Sequence, residues 1–398
     1  MKRSFADIVR EEAAENLRRL LLKLPEWASA GPSLKIPSRL NLEQCSSSAT
    51  ARYKASIAER IIGSDGAVSD LTGGLGADAW AYSKVSKSVL YNEMNTELAS
   101  AVESNFQALG VSNVVFRNSE VVPGRISEIL DGYRPDIIFM DPARRGAVGQ
   151  KVFRLEDCQP NVLELKEELL AICPNLLLKL SPMADISLLC RQLGSEVREV
   201  HCVGADGECK ELLLWLQRDW AGGVSICVSG DLSGGSETAF LSFTPEEEAC
   251  AAARFFADEE ELAGTAGLIF EPSAVTMKAG CFRLLCARFG LTKLGRSTQL
   301  YVVDCPDPEK IPDGREELRR LGKLFAVKSI VPFSGASAAA LGREFPCCEV
   351  SARNLPISSD ELRKKMKCKS GGSVHIFAAG VDFAGAKSGR YLFVTERV

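Results

Sequence analysis

The stretch from Val68 to Asp78, Val-Ser-Asp-Leu-Thr-Gly-Gly-Leu-Gly-Ala-Asp, constrains this chain most. It reads as the end of a buried strand, a tight glycine turn and the start of a helix. Three glycines in the four positions from Gly73 to Gly76 let the backbone enter the left-handed region and leave room for a ligand against the main chain. The helix start presents free N–H groups and the positive end of a dipole. The next apolar run, Ser88 to Asn92, ends in Glu93, 23 positions after Asp70. A carboxylate at the tip of a second strand can accept both hydroxyls of a ribose. Together these features describe half of a nucleoside-binding α/β unit.

Two cofactors compete for such a unit. Gly74 to Ala79 fits the dinucleotide pattern G-x-G-x-x-[GA]. The pattern Asp-x-x-x-Gly-x-Gly, from Asp70 to Gly76, instead resembles the first motif of class I S-adenosylmethionine (SAM) methyltransferases. Asp70 bears on the choice, because a carboxylate at the strand tip repels a pyrophosphate. It suits SAM, which carries an ammonium, a sulfonium and no phosphate. A purely structural strand–turn–helix stays open at this point. The resemblance implies that Asp70, Thr72, Gly74, Gly76 and Asp78 meet the cofactor, with Glu93 at its ribose.

At 398 residues the chain has room for two or three domains. Its net charge of −4 excludes a global basic field, so a nucleic-acid surface has to be local. Fourteen cysteines without a CxxC, and only two histidines, argue against a zinc site; no metal is expected. Single cysteines in apolar segments read as reduced thiols, which suggests a cytoplasmic protein. No signal peptide is read at the start, and no apolar run approaches the roughly 20 residues of a membrane helix.

Residues 1–63 read as a helical region, and 64–220 as regular βα alternation, the mark of a mainly parallel sheet. Strands are expected at 66–70, 88–92, 112–117, 136–140, 175–180, 196–203 and 210–217. The last two are joined by Gly204-Ala205-Asp206-Gly207-Glu208, hairpin chemistry with no helix between. A parallel sheet closed by an antiparallel hairpin is unlike the mirrored halves of a nicotinamide-binding fold. It resembles the Rossmann-like class I methyltransferase sheet, whose seventh strand enters antiparallel. Trp220 to Gly223 reads as a boundary, followed by an α+β region in two parts, 221–325 (a linker or ferredoxin-like subdomain) and 326–398. One helix is expected over 273–289.

The fourth strand ends in Asp141-Pro142-Ala143-Arg144-Arg145. In open α/β sheets the ligand lies beyond the carboxyl ends of the strands at the switch in strand order. Asp141 therefore falls beside the reacting methyl group if the first motif is read as above. The segment resembles the Asp-Pro-Pro-aromatic motif of methyltransferases acting on base nitrogens. Ala143 and Arg144 depart from that pattern, although a guanidinium also stacks on a base. Asp141, Pro142 and Arg144 are the expected catalytic residues, and Arg145 a substrate contact. The segment also resembles the Asp-Pro-Pro-Arg of uracil C5-methyltransferases. Those need a cysteine nucleophile where this chain has Ser181, a far weaker nucleophile, so covalent carbon methylation is not expected. Asn118 or Ser119, after the third strand, could accept from the adenine amine or cap a loop. Gln44, Arg52 and Lys54 either line the mouth of the site, with Lys54 at the substrate, or belong to an ordinary N-capped helix.

Residues 351–369 hold six basic side chains against Asp360 and Glu361. Arg353, Arg363, Lys364, Lys365 and Lys367 among them could grip backbone phosphates, or form a solvated helix face. Gln44-Cys45-Ser46-Ser47, the Asp70–Gly76 loop, Asp-Pro-Ala-Arg, Gly207 to Glu211, Arg353 to Pro356 and Leu362 to Lys365 together resemble bacterial class I SAM methyltransferases bearing a THUMP-like domain. That resemblance implies an RNA substrate, tRNA or rRNA, with a base, and within it a nitrogen, methylated by direct SN2 transfer. The alternatives are methylation of a protein or small molecule, a non-catalytic SAM- or RNA-binding module, and an NAD-dependent oxidoreductase.

Overall fold

The structure is a computed structural model that describes residues 5–144, 154–232, 240–265, 267–305, 317–385 and 387–398. The chain forms two compact units, Met1–Ser242 and Phe243–Val398. Among the described residues no helix is long and apolar enough to cross a membrane.

The first unit opens with α1 (Phe5–Lys23), α2 (Arg39–Gln44) and α3 (Ser48–Ile62). Ser47 caps α3 by accepting from the Thr50 amide, and Gly63 ends it at φ +68°. Then follow β1 (Ala67–Asp70), α4 (Ala77–Tyr82), β2 (Ser88–Asn92), α5 (Thr96–Ala108), β3 (Val114–Arg117), α6 (Ile126–Leu130) and β4 (Ile137–Met140). A small ladder pairs β5 (Ala143–Arg144) with β6 (Cys158–Gln159). Next come α7 (Val162–Ile172), β7 (Asn175–Leu180), α8 (Ile186–Leu193), β8 (Val197–Ala205), β9 (Glu208–Gln217), β10 (Ser225–Asp231) and β11 (Leu241–Phe243). Side-chain caps from Asn95, Asn161 and Asp185 start α5, α7 and α8.

The sheet order is β11-β10-β8-β9-β7-β4-β1-β2-β3. Strands β1 to β4 and β7 run parallel, and β9 enters antiparallel between β7 and β8. The central strands are apolar on both faces, as a sheet covered on both sides requires; all four residues of β4, Ile-Ile-Phe-Met, are buried. Trp27, Tyr53, Tyr82, Tyr91 and Phe106 are among the largest fully buried side chains of the surrounding core. This is the class I arrangement expected from the βα pattern and the terminal hairpin.

One boundary differs from expectation. The strand after Gly223 does not open the carboxyl region; β10 pairs in parallel with β8 and widens the first sheet. The Trp220–Gly223 segment is a local turn, with the Trp220 indole N–H donating to the Gly223 carbonyl at 3.3 Å. Burial of Ile226, Cys227 and Val228 then draws the strand onto the free edge of β8.

The second unit carries an eight-stranded sheet formed by β12 (Arg254–Phe255), β13 (Gly267–Pro272), β14 (Thr292–Gly295), β15 (Thr298–Asp304), β16 (Gly322–Pro332), β17 (Glu349–Arg353), β18 (Val374–Val381) and β19 (Gly389–Arg397). Its order is β12-β14-β15-β13-β16-β19-β18-β17. The long β16 pairs with β13 on one side and β19 on the other, so one sheet runs through both parts of the carboxyl region. The single helix expected over 273–289 is two, Ala274–Ala279 and Leu284–Phe289. Gly280, at φ +79°, ends the first in the left-handed conformation that its missing Cβ allows.

Candidate active site

Backbone bonds clamp the glycine loop to its neighbouring strand tips. The Leu71 amide donates to the Phe139 carbonyl of β4, and the Gly73 amide donates to the Asn92 carbonyl of β2. Thr72 links the loop to the next segment: its amide donates to Asp70 Oδ1 at 3.1 Å, and its Oγ1 accepts from the Asp141 amide at 2.6 Å. A Cβ at Gly73 would lie 2.1 Å from the Tyr91 ring, so only glycine fits. Gly74 has φ +51° and nothing within 4 Å of a Cβ position, which leaves its main chain open to a ligand. Its amide donates to Glu93 Oε2 at 3.0 Å, and the Asn95 amide donates to Glu93 Oε1 at 2.9 Å.

A cavity of about 760 Å³ opens over this loop. That lies within the usual size of a small-molecule site. The loop from Leu71 to Asp78 forms its floor, with Glu93 to Asn95, Ser119 to Val121, Asp141 to Ala143 and Lys179 to Ser181 from the strand ends. Lys210 and Glu211 enter from β9, and Asn41, Gln44, Cys45 and Ser46 close the amino-terminal wall. Lys23 fixes that wall by donating to the carbonyls of Leu42, Glu43 and Cys45 at 2.8, 3.0 and 3.1 Å.

The charges beside the cavity form one network. Lys54 is wholly buried and donates to both oxygens of Glu211 at 2.8 and 3.1 Å. Its ammonium also lies 3.1 Å from Asp78 Oδ1 and bonds Ser46 Oγ at 3.2 Å. Ser46 Oγ in turn donates to Asp78 Oδ2 at 2.9 Å. On the cavity wall the Lys179 ammonium donates to Asp141 Oδ2. Burial alone would discharge Lys179, but Asp141, Glu211 and Asp78 raise its pKa above the ordinary lysine value. The same balance, burial against Asp78 and Glu211, leaves Lys54 raised and charged. Burial pushes the Glu211 carboxyl up despite both lysines.

The structure gathers Thr72, Gly74, Gly76, Asp78, Glu93, Ser119, Asp141, Pro142 and Gln44 around the cavity. Asp70 stands behind the loop, fully buried and outside the cavity wall; Oδ1 holds the Thr72 amide, and Oδ2 has no hydrogen-bond partner among the described residues. Burial, reinforced by Asp78, pushes its pKa well above the carboxylate range. Asn118 is a loop cap: its amide donates to the Glu93 and Met94 carbonyls, and its oxygen accepts from Thr96. Lys54, expected at the substrate, is instead sealed in the ion network, because α3 packs it against Asp78 and Glu211. Arg52 pairs with Glu26 at 3.5 Å. Arg145 and the Arg144 side chain lie outside the described residues.

In the second unit, Arg353 pairs with Glu271 at 2.6 Å, and Arg363 with Asp360 and Glu349 at 3.3 and 3.4 Å. Lys364, Lys365 and Lys367 are exposed, and among the described residues they form no ion pair. Sequence reasoning missed Lys179 and Glu211 as site residues. Their signal was present: each is a charge inside a strand whose other residues are mostly apolar, Leu-Leu-Leu-Lys-Leu and Glu-Leu-Leu-Leu-Trp-Leu.

Away from the cavity, Glu199, His201 and Cys227 bring one ligand-type atom each to within 4.8 Å of one another. The protein itself satisfies the first two. Arg60 donates to both Glu199 oxygens, and the His201 ring nitrogens face Tyr53 Oη and Glu199 Oε2 at 2.8 and 2.9 Å.

Family models match a ferredoxin-like domain at residues 269–309 and a THUMP domain-like segment at 322–397. No curated protein matches the chain. The solved structure of a "putative methyltransferase" from Porphyromonas gingivalis W83 is 31% identical, with a TM-score of 0.80, over 96% of this chain and 88% of that one. Weaker matches include an rRNA methylase from Streptococcus thermophilus, at 16% identity over 46% of this chain and 98% of that one, TM-score 0.29. Another is the 16S rRNA N2 G1207 methyltransferase of T. thermophilus in complex with AdoMet and guanosine, at 18% identity over 47% and 44%, TM-score 0.32.

Proposed function

This chain belongs to the family of the "putative methyltransferase" from Porphyromonas gingivalis W83, and from that premise we propose that it methylates RNA with S-adenosylmethionine as methyl donor. The observation that carries the reading is the juxtaposition of Glu93, the open Gly74 backbone and Asp141 around one cavity. These residues fit SAM. Glu93 takes two amide donors and keeps lone pairs for ribose hydroxyls, and nothing beside Gly74 blocks a ligand lying on the main chain. Asp78 at the loop's end suits the ammonium of the amino-acid part. The acids Asp78, Glu93, Asp141 and Glu211 on one wall or another oppose a pyrophosphate. When bound, SAM supplies an electrophilic methyl carbon on a sulfonium.

Residues of the chain then contribute position more than covalent chemistry. Thr72 ties the cofactor loop to the Asp141 amide, so the two halves of the site keep their spacing. The THUMP-like segment and the exposed Lys364, Lys365 and Lys367 support RNA as the substrate, since exposed lysines neutralise backbone phosphates. Two measurements test the reading. Calorimetry should show SAM binding and no NAD binding; the reverse would promote an oxidoreductase. Labelled methyl from SAM, offered in parallel to total RNA, total protein and small-molecule extract, should enter RNA. Label confined to protein or small molecules would refute the RNA assignment while leaving the methyltransferase intact.

A further inference from the structure

We propose that the methyl acceptor is a hydroxyl oxygen, in RNA a ribose hydroxyl, and that Lys179 and Asp141 are the pair that activates it. The inference rests on the reading of this cavity as an RNA methyltransferase site.

An amine acceptor calls for a carboxylate free to receive its N–H groups. Asp141 offers an amine only Oδ1 among the described residues, because its Oδ2 already accepts from the Lys179 ammonium. The cation is itself part of the cavity wall. Behind it a second ammonium, Lys54, is held by Glu211 and Asp78. An amine nitrogen becomes cationic as it attacks a methyl carbon, so ammonium groups in a water-poor site oppose the reaction. A hydroxyl must shed its proton as it attacks, and its oxygen gathers negative charge. An ammonium aimed at that oxygen stabilises the transition state. The carboxylates that surround Lys179 keep it protonated for this task.

The step balances with groups on the cavity wall. The acceptor oxygen forms its bond to the methyl carbon as the carbon–sulfur bond breaks, and that bond's electron pair stays on sulfur, leaving a neutral thioether. The hydroxyl proton passes to Asp141 Oδ1, which has no hydrogen-bond partner among the described residues. Lys179 donates to the oxygen throughout. Asp141, with a side chain 34% exposed, then releases its proton to solvent.

The experiment uses the full chain, methyl-labelled SAM and total RNA, followed by digestion to nucleosides and mass-spectrometric cleavage of the glycosidic bond. The expected result is label on the ribose fragment. Label on the base fragment would overturn the hydroxyl assignment while upholding an RNA methyltransferase. SAM binding by calorimetry with no label in RNA would overturn the RNA reading, and this inference with it. Lys179→Met should lower transfer by about 100-fold or more with SAM affinity unchanged. Transfer by that variant at the wild-type rate would remove Lys179 from the chemistry. Should the variant fail to fold, the position of the label on the wild-type product still decides.

Discussion

Replacing Lys54 by methionine tests the charge network most directly. Methionine roughly conserves the stem but removes the cation that bridges Glu211 and Asp78, both buried. Removing one partner of a buried pair leaves uncompensated charge and costs about 3–5 kcal/mol. For a unit of this size each kcal/mol shifts Tm by about 2–4 °C, so the loss should be about 6–20 °C at pH 7. The pH dependence gives the effect its signature. Burial already raises the Glu211 carboxyl above its ordinary value, and loss of Lys54 raises it further. A group whose folded pKa exceeds its unfolded value stabilises the fold while protonated and loses that contribution as pH rises through the folded value. The variant's deficit should therefore narrow as pH falls from 7 toward the ordinary carboxylate range. Lys54 itself is raised, so its own contribution is intact below the ordinary lysine value and is lost only in alkali. Thermal unfolding of both proteins between pH 5 and 8, followed by circular dichroism, reads both quantities. An exposed lysine would change stability by no more than about 0.5 kcal/mol. A variant with wild-type Tm at pH 7, or a deficit independent of pH, would refute the burial argument and return Lys54 to the substrate.

Glu93→Ala should weaken SAM binding by about 10- to 150-fold, the loss of charge-assisted bonds to the ribose; an unchanged Kd by calorimetry would remove Glu93 from the cofactor site. Gly76→Ala combines φ +84° with a Cβ 2.7 Å from Val102 Cγ1, and should cost about 2–5 kcal/mol by urea denaturation; a wild-type midpoint would contradict the packing of the loop on α5. Lys364→Gln, Lys365→Gln and Lys367→Gln together should weaken RNA binding across unrelated sequences and flatten its salt dependence by about 0.7 for each phosphate no longer neutralised; a wild-type salt slope would make these lysines a solvated face.

The sheet was legible because its signals are local. Asp-Leu-Thr-Gly-Gly-Leu-Gly can hardly be anything other than a strand–turn–helix, and the glycines meet Tyr91, open space and Val102 in the way such a turn demands. The hairpin at Ala205 to Glu208 likewise announces its antiparallel strand. The placement of β10 was not legible, because Ser-Ile-Cys-Val-Ser carries no mark of which sheet it joins. Roles that depend on distant partners were hidden in the same way. Lys54 and Glu211 are 157 positions apart, and a lysine on a helix looks solvated until the fold supplies its carboxylates. Arg353 and Arg363 resembled phosphate ligands in a basic run, yet each faces an acid from another element, Glu271 or Glu349.

The ion network itself bears on function. Five charged groups, Lys54, Asp78, Asp141, Lys179 and Glu211, come from α3, α4, the tip of β4, β7 and β9 and meet beside one cavity. Stability does not require them: well-packed apolar side chains in place of a buried ion pair are often neutral or stabilising, because desolvation offsets most of the attraction. A sheet as apolar as this one, with Leu176 to Leu178 and Leu212 to Leu214 all buried, has the partners for such packing at hand. What an apolar wall could not do is hold an ammonium in fixed orientation beside a carboxylate whose second oxygen has no partner among the described residues. Fixed dipoles and charges of that kind act where charge develops in a reaction, without reorganisation. On the proposed reading the cost of burying the network is matched to chemistry at Asp141, and Lys54 would support that chemistry from behind the wall by holding Glu211 and Asp78 in place.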